Sequence, residues 1–370
     1  QSWIQVLIVM STEVSHHPKA NLLLILTDQQ RQDSLGCYGG WAKTPVLDSL
    51  ARRGIVFSNC YANAPVCAPS RVALASGRYP HNFGLWHNAA FDLPLTPPNW
   101  MRLVRDSGYR TALFGKSHLH RKNGNDLLQY EDFMRRLGYD DIEEVVGPRG
   151  TVTVRSRMTD TWSDAGVLDL YRNDIQDRLK NNPWLARPSP LPLQYYPDAY
   201  IADRAVRYLA EYGFQKPWCL TVGFPGPHEP WDCPEPFASM HDQVEIPPPK
   251  ILHYQPETLA ESTLRKRLLT RPPLTDDAVS KLRRNYAGSI SLIDAKVGDL
   301  LRQLQVRDEL DNTWIIFTSD HGEMNGDYGL LYKNAFFDEA IKVPLLVVPP
   351  ARFSVPLQGK TCDEIVELFD

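Results

Sequence analysis

Four short apolar runs in this 370-residue chain each end in residues that can do chemistry. Leu22 to Leu26 is followed by Thr27-Asp28-Gln29, and Thr111 to Phe114 by Gly115-Lys116-Ser117-His118. Cys219 to Phe224 is followed by Pro225-Gly226-Pro227-His228, and Trp314 to Phe317 by Thr318-Ser319-Asp320-His321-Gly322. Asp28 and Asp320 offer hard oxygens and His321 an imidazole nitrogen, donors that suit a divalent cation. An isolated aspartate more often caps a helix or closes a loop ion pair. Four runs that all deliver acids, histidines or a lysine argue instead for one polar site. Cys67 is the candidate nucleophile, in Cys67-Ala68-Pro69-Ser70-Arg71, with Arg71 one helical turn onward and able to face the same point. Cys, Pro, Ser and Arg in that order arise by chance on the order of once in several hundred chains of this composition.

The elements that position these residues follow from the pattern around them. Unbroken apolar runs mark strands buried on both faces of a parallel sheet, and Val343 to Val348 reads the same way. Pro45 to Arg53 reads as a helix with proline in its first turn and Gly54 as its stop. Asp198 to Tyr212 is a second helix. A third begins near Asp276, where Leu282, Tyr286, Ile290, Ile293, Val297, Leu300, Leu301 and Leu304 recur at helical period. Alternating strands and helices predict a doubly wound α/β sheet with right-handed crossovers. In such a sheet the carboxyl ends of the strands form the ligand crevice. If strand geometry persists beyond Lys116, its side chain and that of His118 share a face.

The segments LTDQQRQDSLGCYG, CAPSR, GKSHLH, GPHEPW and SDHGEMNGDYGLLYK, in that order, resemble the sulfatase branch of the alkaline phosphatase superfamily. The likeness runs from about Asn21 to the C-terminus, and C-x-P-S-R is its most specific element. In that family this signal directs oxidation of the cysteine to formylglycine. The resemblance implies a large, mostly parallel mixed sheet sandwiched by helices, followed by a smaller C-terminal subdomain. TCDEIVELFD reads as the start of the helix leading to that subdomain. The expected organisation is therefore a tail (1–20) and a catalytic domain (21–370) incomplete at its C-terminus.

The likeness also assigns roles. Asp28, Gln29, residue 67, Asp320 and His321 are the implied metal set, with calcium the first choice and manganese or zinc suited by the imidazole. Many sulfatases have a second acid where Gln29 stands, which leaves an amide oxygen and one negative charge fewer. The hydrated aldehyde of residue 67 is implied to attack sulfur, and its second hydroxyl to expel sulfate as the carbonyl reforms. Arg71 holds that hydrate, Lys116 binds it and the sulfate, and His118 acts as its base. His228 is a sulfate-binding or proton-relay candidate, and Lys333 resembles the lysine that binds sulfate and serves the leaving oxygen. Arg71, Lys116, Lys333 and the metal together make a cationic cage for sulfuryl transfer. The family form G-K-W-H-L-G is altered here at Ser117 and His120. The expected substrate is a sulfated carbohydrate or another small organic sulfate, and the implied partner is a formylglycine-generating enzyme. The alternatives are a phosphonate monoester or phosphodiester hydrolase, and a non-catalytic homologue.

Composition bounds the rest. A net charge of −4 gives no global attraction to nucleic acid or anionic membrane. No segment approaches the roughly 20 apolar residues of a membrane span. The opening QSWIQVLIVM lacks a basic leader and a cleavage site, so the compartment is cytoplasmic if Met10 is the start and otherwise periplasmic or secreted. Six cysteines without metal-type spacing, one of them reserved for modification, predict mostly free buried thiols. Proline clusters, Pro272-Pro273 among them, read as ordered loops, and His16-His17 as part of the tail. Arg149, Arg155 and Arg157 read as a solvated loop face. Oligomeric state is left open.

Overall fold

The apolar runs become strands of one eight-stranded sheet in the computed structural model, ordered β4-β3-β5-β1-β6-β7-β2-β8. The structure describes residues 19–121, 125–213, 216–251, 274–354 and 358–370. Met10, His16, His17, the tail up to residue 18, Pro272 and Pro273 lie outside the described residues. The strands are β1 (Asn21–Asp28), β2 (Ile55–Tyr61), β3 (Arg110–Lys116), β4 (Asp141–Val145), β5 (Trp218–Pro227), β6 (Thr313–Ser319), β7 (Leu345–Val348) and β8 (Lys360–Glu367). The main helices are α1 (Pro45–Arg53), α2 (Cys67–Ser76), α3 (Trp100–Asp106), α4 (Glu131–Leu137), α5 (Arg157–Asp164), α6 (Leu168–Asn181), α7 (Pro197–Glu211) and α8 (Asp276–Val306).

Alternation along β3 shows why helices cover both faces. Ala112 and Phe114 join the core formed with α1, α7 and α8, whereas Leu113 joins the core under α2, α3 and α4. Helix α8 carries its apolar stripe against α7, β5 and α1. Its Asp294 accepts the Val46 and Leu47 backbone N–H groups at 3.2 and 2.8 Å, which ties the first turn of α1 to α8.

Two expectations are corrected. Val343 to Val348 contributes β7, but β7 runs antiparallel to both β6 and β2, and its burial alternates along the strand. The reason is the connection: residues 320–344 stay at the carboxyl edge of the sheet with no long crossover helix, so the next strand must run back. TCDEIVELFD does not begin a helix. It forms most of β8, parallel to β2, because β2 offers an open edge that a segment with Thr361, Ile365 and Val366 can pair. All six cysteines are free thiols, five of them buried and Cys37 partly so.

Candidate active site

The carboxyl edge of the sheet gathers the chemistry. Asp28 ends β1, Lys116 ends β3, Asp320 follows β6, and Cys67 opens α2 after the β2 strand. One ligand atom each from Asp28, Cys67, Asp320 and His321 lies within 4.8 Å of the others, and all four residues are buried. The close approach of β3 to β5 at this edge needs glycine: Gly115 has φ +116°, and a Cβ there would lie 1.9 Å from the Gly223 carbonyl oxygen.

Electrostatics prepare this cluster for a cation and an anion together. Arg71 Nε donates to Asp320 Oδ2 at 2.6 Å, Arg71 Nη1 to the Lys116 carbonyl at 2.7 Å, and Lys116 Nζ to Asp28. Burial opposes ionisation of Asp320, but Arg71, His321 and Lys116 outweigh it and hold the carboxyl well below the usual carboxylate range. His321 Nδ1 donates to the Gly322 carbonyl at 2.9 Å, which leaves Nε2 as the acceptor. That nitrogen lies 3.1 Å from Cys67 Sγ and 3.7 and 3.6 Å from Asp28 and Asp320 oxygens. Burial drives its pKa down to about 3, with Asp320 opposing and Lys333 adding to the shift, so the ring is neutral and could serve as a donor to a metal. Arg71 Nη2 is buried without a hydrogen-bond partner among the described residues, 3.7 Å from Asp28 Oδ2. Two buried carboxylates, a neutral imidazole and an orphaned guanidinium N–H fit a divalent ion with an anionic oxygen beside it. As a thiol, Cys67 is pushed up in pKa by burial, with Lys333 and Arg71 working against the shift.

The Gln29 side chain is held by charged neighbours. Its amide oxygen accepts from Lys333 Nζ, and its amide nitrogen donates to Glu229 Oε2 at 2.8 Å and to Glu323. Two carboxylates on one atom and an ammonium on the other fix which end is which. Lys333 Nζ also donates to His228 Nε2 at 2.8 Å, while His228 Nδ1 donates to the Glu229 carbonyl at 2.7 Å. Burial, then Lys333 and Lys116, keep His228 well below its ordinary pKa, so it stands neutral as an acceptor. Glu323 accepts the Asn325 and Tyr332 N–H groups at 3.0 and 2.6 Å, which folds the post-β6 loop so that Lys333 points inward. Burial and neighbouring Glu229 raise the Glu323 carboxyl to about 7.

The expected site residues thus form two linked sets. Asp28, Cys67, Arg71, Lys116, Asp320 and His321 make one, and Gln29, His228 and Lys333 the other. After Lys116 the φ of +60° at His118 ends the extended geometry, and the half-buried His118 lines a small cavity with Lys116, His120 and Glu144. The two departures from the family form are coupled, since Ser117 Oγ and His120 Nε2 (2.7 Å) both bind Glu144 on β4. Glu229 and Glu323, each within two residues of a named histidine in a quoted motif, were not among the expected site residues. Ser70 was passed over too; its hydroxyl donates to the Asp320 carbonyl at 2.5 Å.

The description of the Sulfatase family matches residues 20–369. The chain belongs to the Sulfatase family. Among curated sulfatases, the Clostridium perfringens arylsulfatase is 26% identical over 364 residues, covering 95% of this chain and 73% of the relative. The Rhizobium meliloti choline-sulfatase is 28% identical over 354 residues, covering 90% and 63%, so the chain spans under two thirds of that sulfatase. The phosphonate monoester hydrolase of Agrobacterium radiobacter shares the fold with a TM-score of 0.75 at 24% identity, covering 95% of this chain and 72% of that one. A structure solved with its substrate D-glucosamine-2-N,6-O-disulfate has a TM-score of 0.68 at 21% identity, covering 95% and 75%. No helix among the described residues of this sulfatase-family chain is long and apolar enough to cross a membrane.

Proposed function

We propose that this chain hydrolyses sulfate esters, with residue 67 acting as formylglycine and a divalent ion held by Asp28, Asp320 and His321. The observation that carries this reading is the seating of Cys67, the first residue of C-x-P-S-R, within 4.8 Å of those three side chains. A bound divalent ion supplies positive charge that acidifies the attacking hydroxyl and polarises the ester. The hydrated aldehyde supplies that hydroxyl and a second one whose deprotonation releases sulfate.

The chain's own side chains do the rest. Arg71 presents its orphaned Nη2 to the hydrate while its Nε holds Asp320 in place. Lys116, paired with Asp28, adds charge for the hydrate and the sulfate. Lys333 carries the proton that neutralises the leaving oxygen, and neutral His228 and Gln29 aim it. His118 is the assigned base for the hydrate. Calcium is the first choice of ion for the carboxylate oxygens, with manganese or zinc next because of His321. The substrate is a sulfated carbohydrate or another small organic sulfate. Formylglycine formation requires a generating enzyme as partner.

One observation favours a second reading. Gln29 leaves the metal set with one carboxylate fewer than the two-acid sulfatase form, which keeps a phosphonate monoester or phosphodiester hydrolase as the second reading; these esters and a sulfate ester are all monoanions, so charge alone does not separate them. Rates on an aryl sulfate, an aryl phosphodiester and an aryl phosphonate decide between the two. Faster turnover of the sulfate is expected; much faster turnover of the phosphorus esters refutes the sulfatase reading.

A further inference from the structure

Arg149, Arg155 and Arg157 read alike in the sequence, but the fold separates them. Arg155 pairs with Asp126 and Asp160, and Arg157 with Glu131. Arg149 instead borders the site on three sides. Its Nη2 lies 3.0 Å from Glu229 Oε1, next to His228. Its guanidinium carbon lies 5.5 Å from the centre of the Tyr332 ring, next to Lys333. Its loop follows β4, and Gly147 in that loop sits so close to Lys116 that a Cβ there would be 3.3 Å from Nζ.

This cation is therefore ordered before any ligand arrives. One edge of the fork is fixed by a buried carboxylate and one face by an aromatic ring, while the side chain remains 45% exposed. A guanidinium held this way has already lost its rotamer freedom, and its outer donors match the planar spacing of carboxylate or sulfonate-type oxygens. We propose that Arg149 forms a second anion subsite at the mouth of the site. It would take a carboxylate or a further sulfate on the organic part of the substrate, so that polyanionic esters are preferred. The proposal rests on the reading that Arg71, Lys116 and Lys333 receive the reacting sulfate.

The test uses inert sulfonates and needs no turnover. Calorimetric titration of the full chain in calcium compares 3-sulfobenzoate with benzenesulfonate, and naphthalene-2,6-disulfonate with naphthalene-2-sulfonate. The wild type is expected to bind at least one dianion about tenfold more tightly than its monoanion, and Arg149→Gln to reduce that ratio to about twofold or less. A wild type without preference, or a ratio unaltered in Arg149→Gln, overturns the subsite. Failure of the sulfatase reading shows separately, as a converted enzyme that hydrolyses no aryl sulfate, and leaves the binding ratios to decide Arg149.

Discussion

Gln29 shows how far a single side chain departs from what its position in a motif suggests. A glutamine in the place of a second acid reads as a weakened metal ligand, yet its amide bridges Lys333 to the buried pair Glu229 and Glu323. Restoring an acid there should therefore harm the molecule. Gln29→Glu replaces two donated hydrogen bonds with a third carboxylate against two buried ones, and a loss of about 3–5 kcal/mol is expected in urea unfolding. Unchanged stability would mean that the amide is not the bridge described. The motif SDHGE placed Asp320 and His321 in view, but nothing in one-dimensional spacing showed that Glu323 would turn back on Gln29. That contact joins residues 294 apart and exists only after the sheet forms.

At the scale of elements, the buried strands were legible because two-sided burial leaves an unbroken apolar signature, as in β1 and β5. The half-exposed edge strands were not. Strand β4 reads DIEEV, with acids that bind Ser117, His120, Tyr200 and Arg204, and β8 takes its conformation from the open edge of β2. The face expected to be shared by Lys116 and His118 depended on strand geometry continuing, and the left-handed conformation of His118 ends the period-two pattern. Strand approach at the site gives a sharp prediction. Gly115→Ala combines a positive φ with a Cβ 1.9 Å from the Gly223 carbonyl, so β3 must move and Lys116 with it. A destabilisation of about 1–3 kcal/mol or more is expected in thermal unfolding, with kcat/KM falling further than the stability loss explains. A variant of native stability and activity would show that the two strands have room.

For the whole molecule, buried acids away from the site should shape stability against pH. Burial raises Asp198 to about 7 and Asp232 to about 6. Both hold protons in the folded chain at pH values where the unfolded chain has released them. Their contribution to stability is thus full below about pH 4 and declines as pH rises to about 7. Asp198→Asn keeps an oxygen for the Gly226 N–H, bonded at 2.8 Å, and removes the charge. Its urea midpoint should exceed that of the wild type at pH 8 and converge with it at pH 4; equal midpoints at both would contradict the buried charge. The central proposal concerns Cys67, whose side chain lies within 4.8 Å of ligand atoms of Asp28, Asp320 and His321. Mass spectrometry of the tryptic peptide Gly54 to Arg71, from protein produced with a formylglycine-generating enzyme, tests it most directly. A peptide about 18 Da lighter than the thiol form is expected, the mass change of thiol to aldehyde. A peptide that remains wholly thiol under those conditions would contradict it.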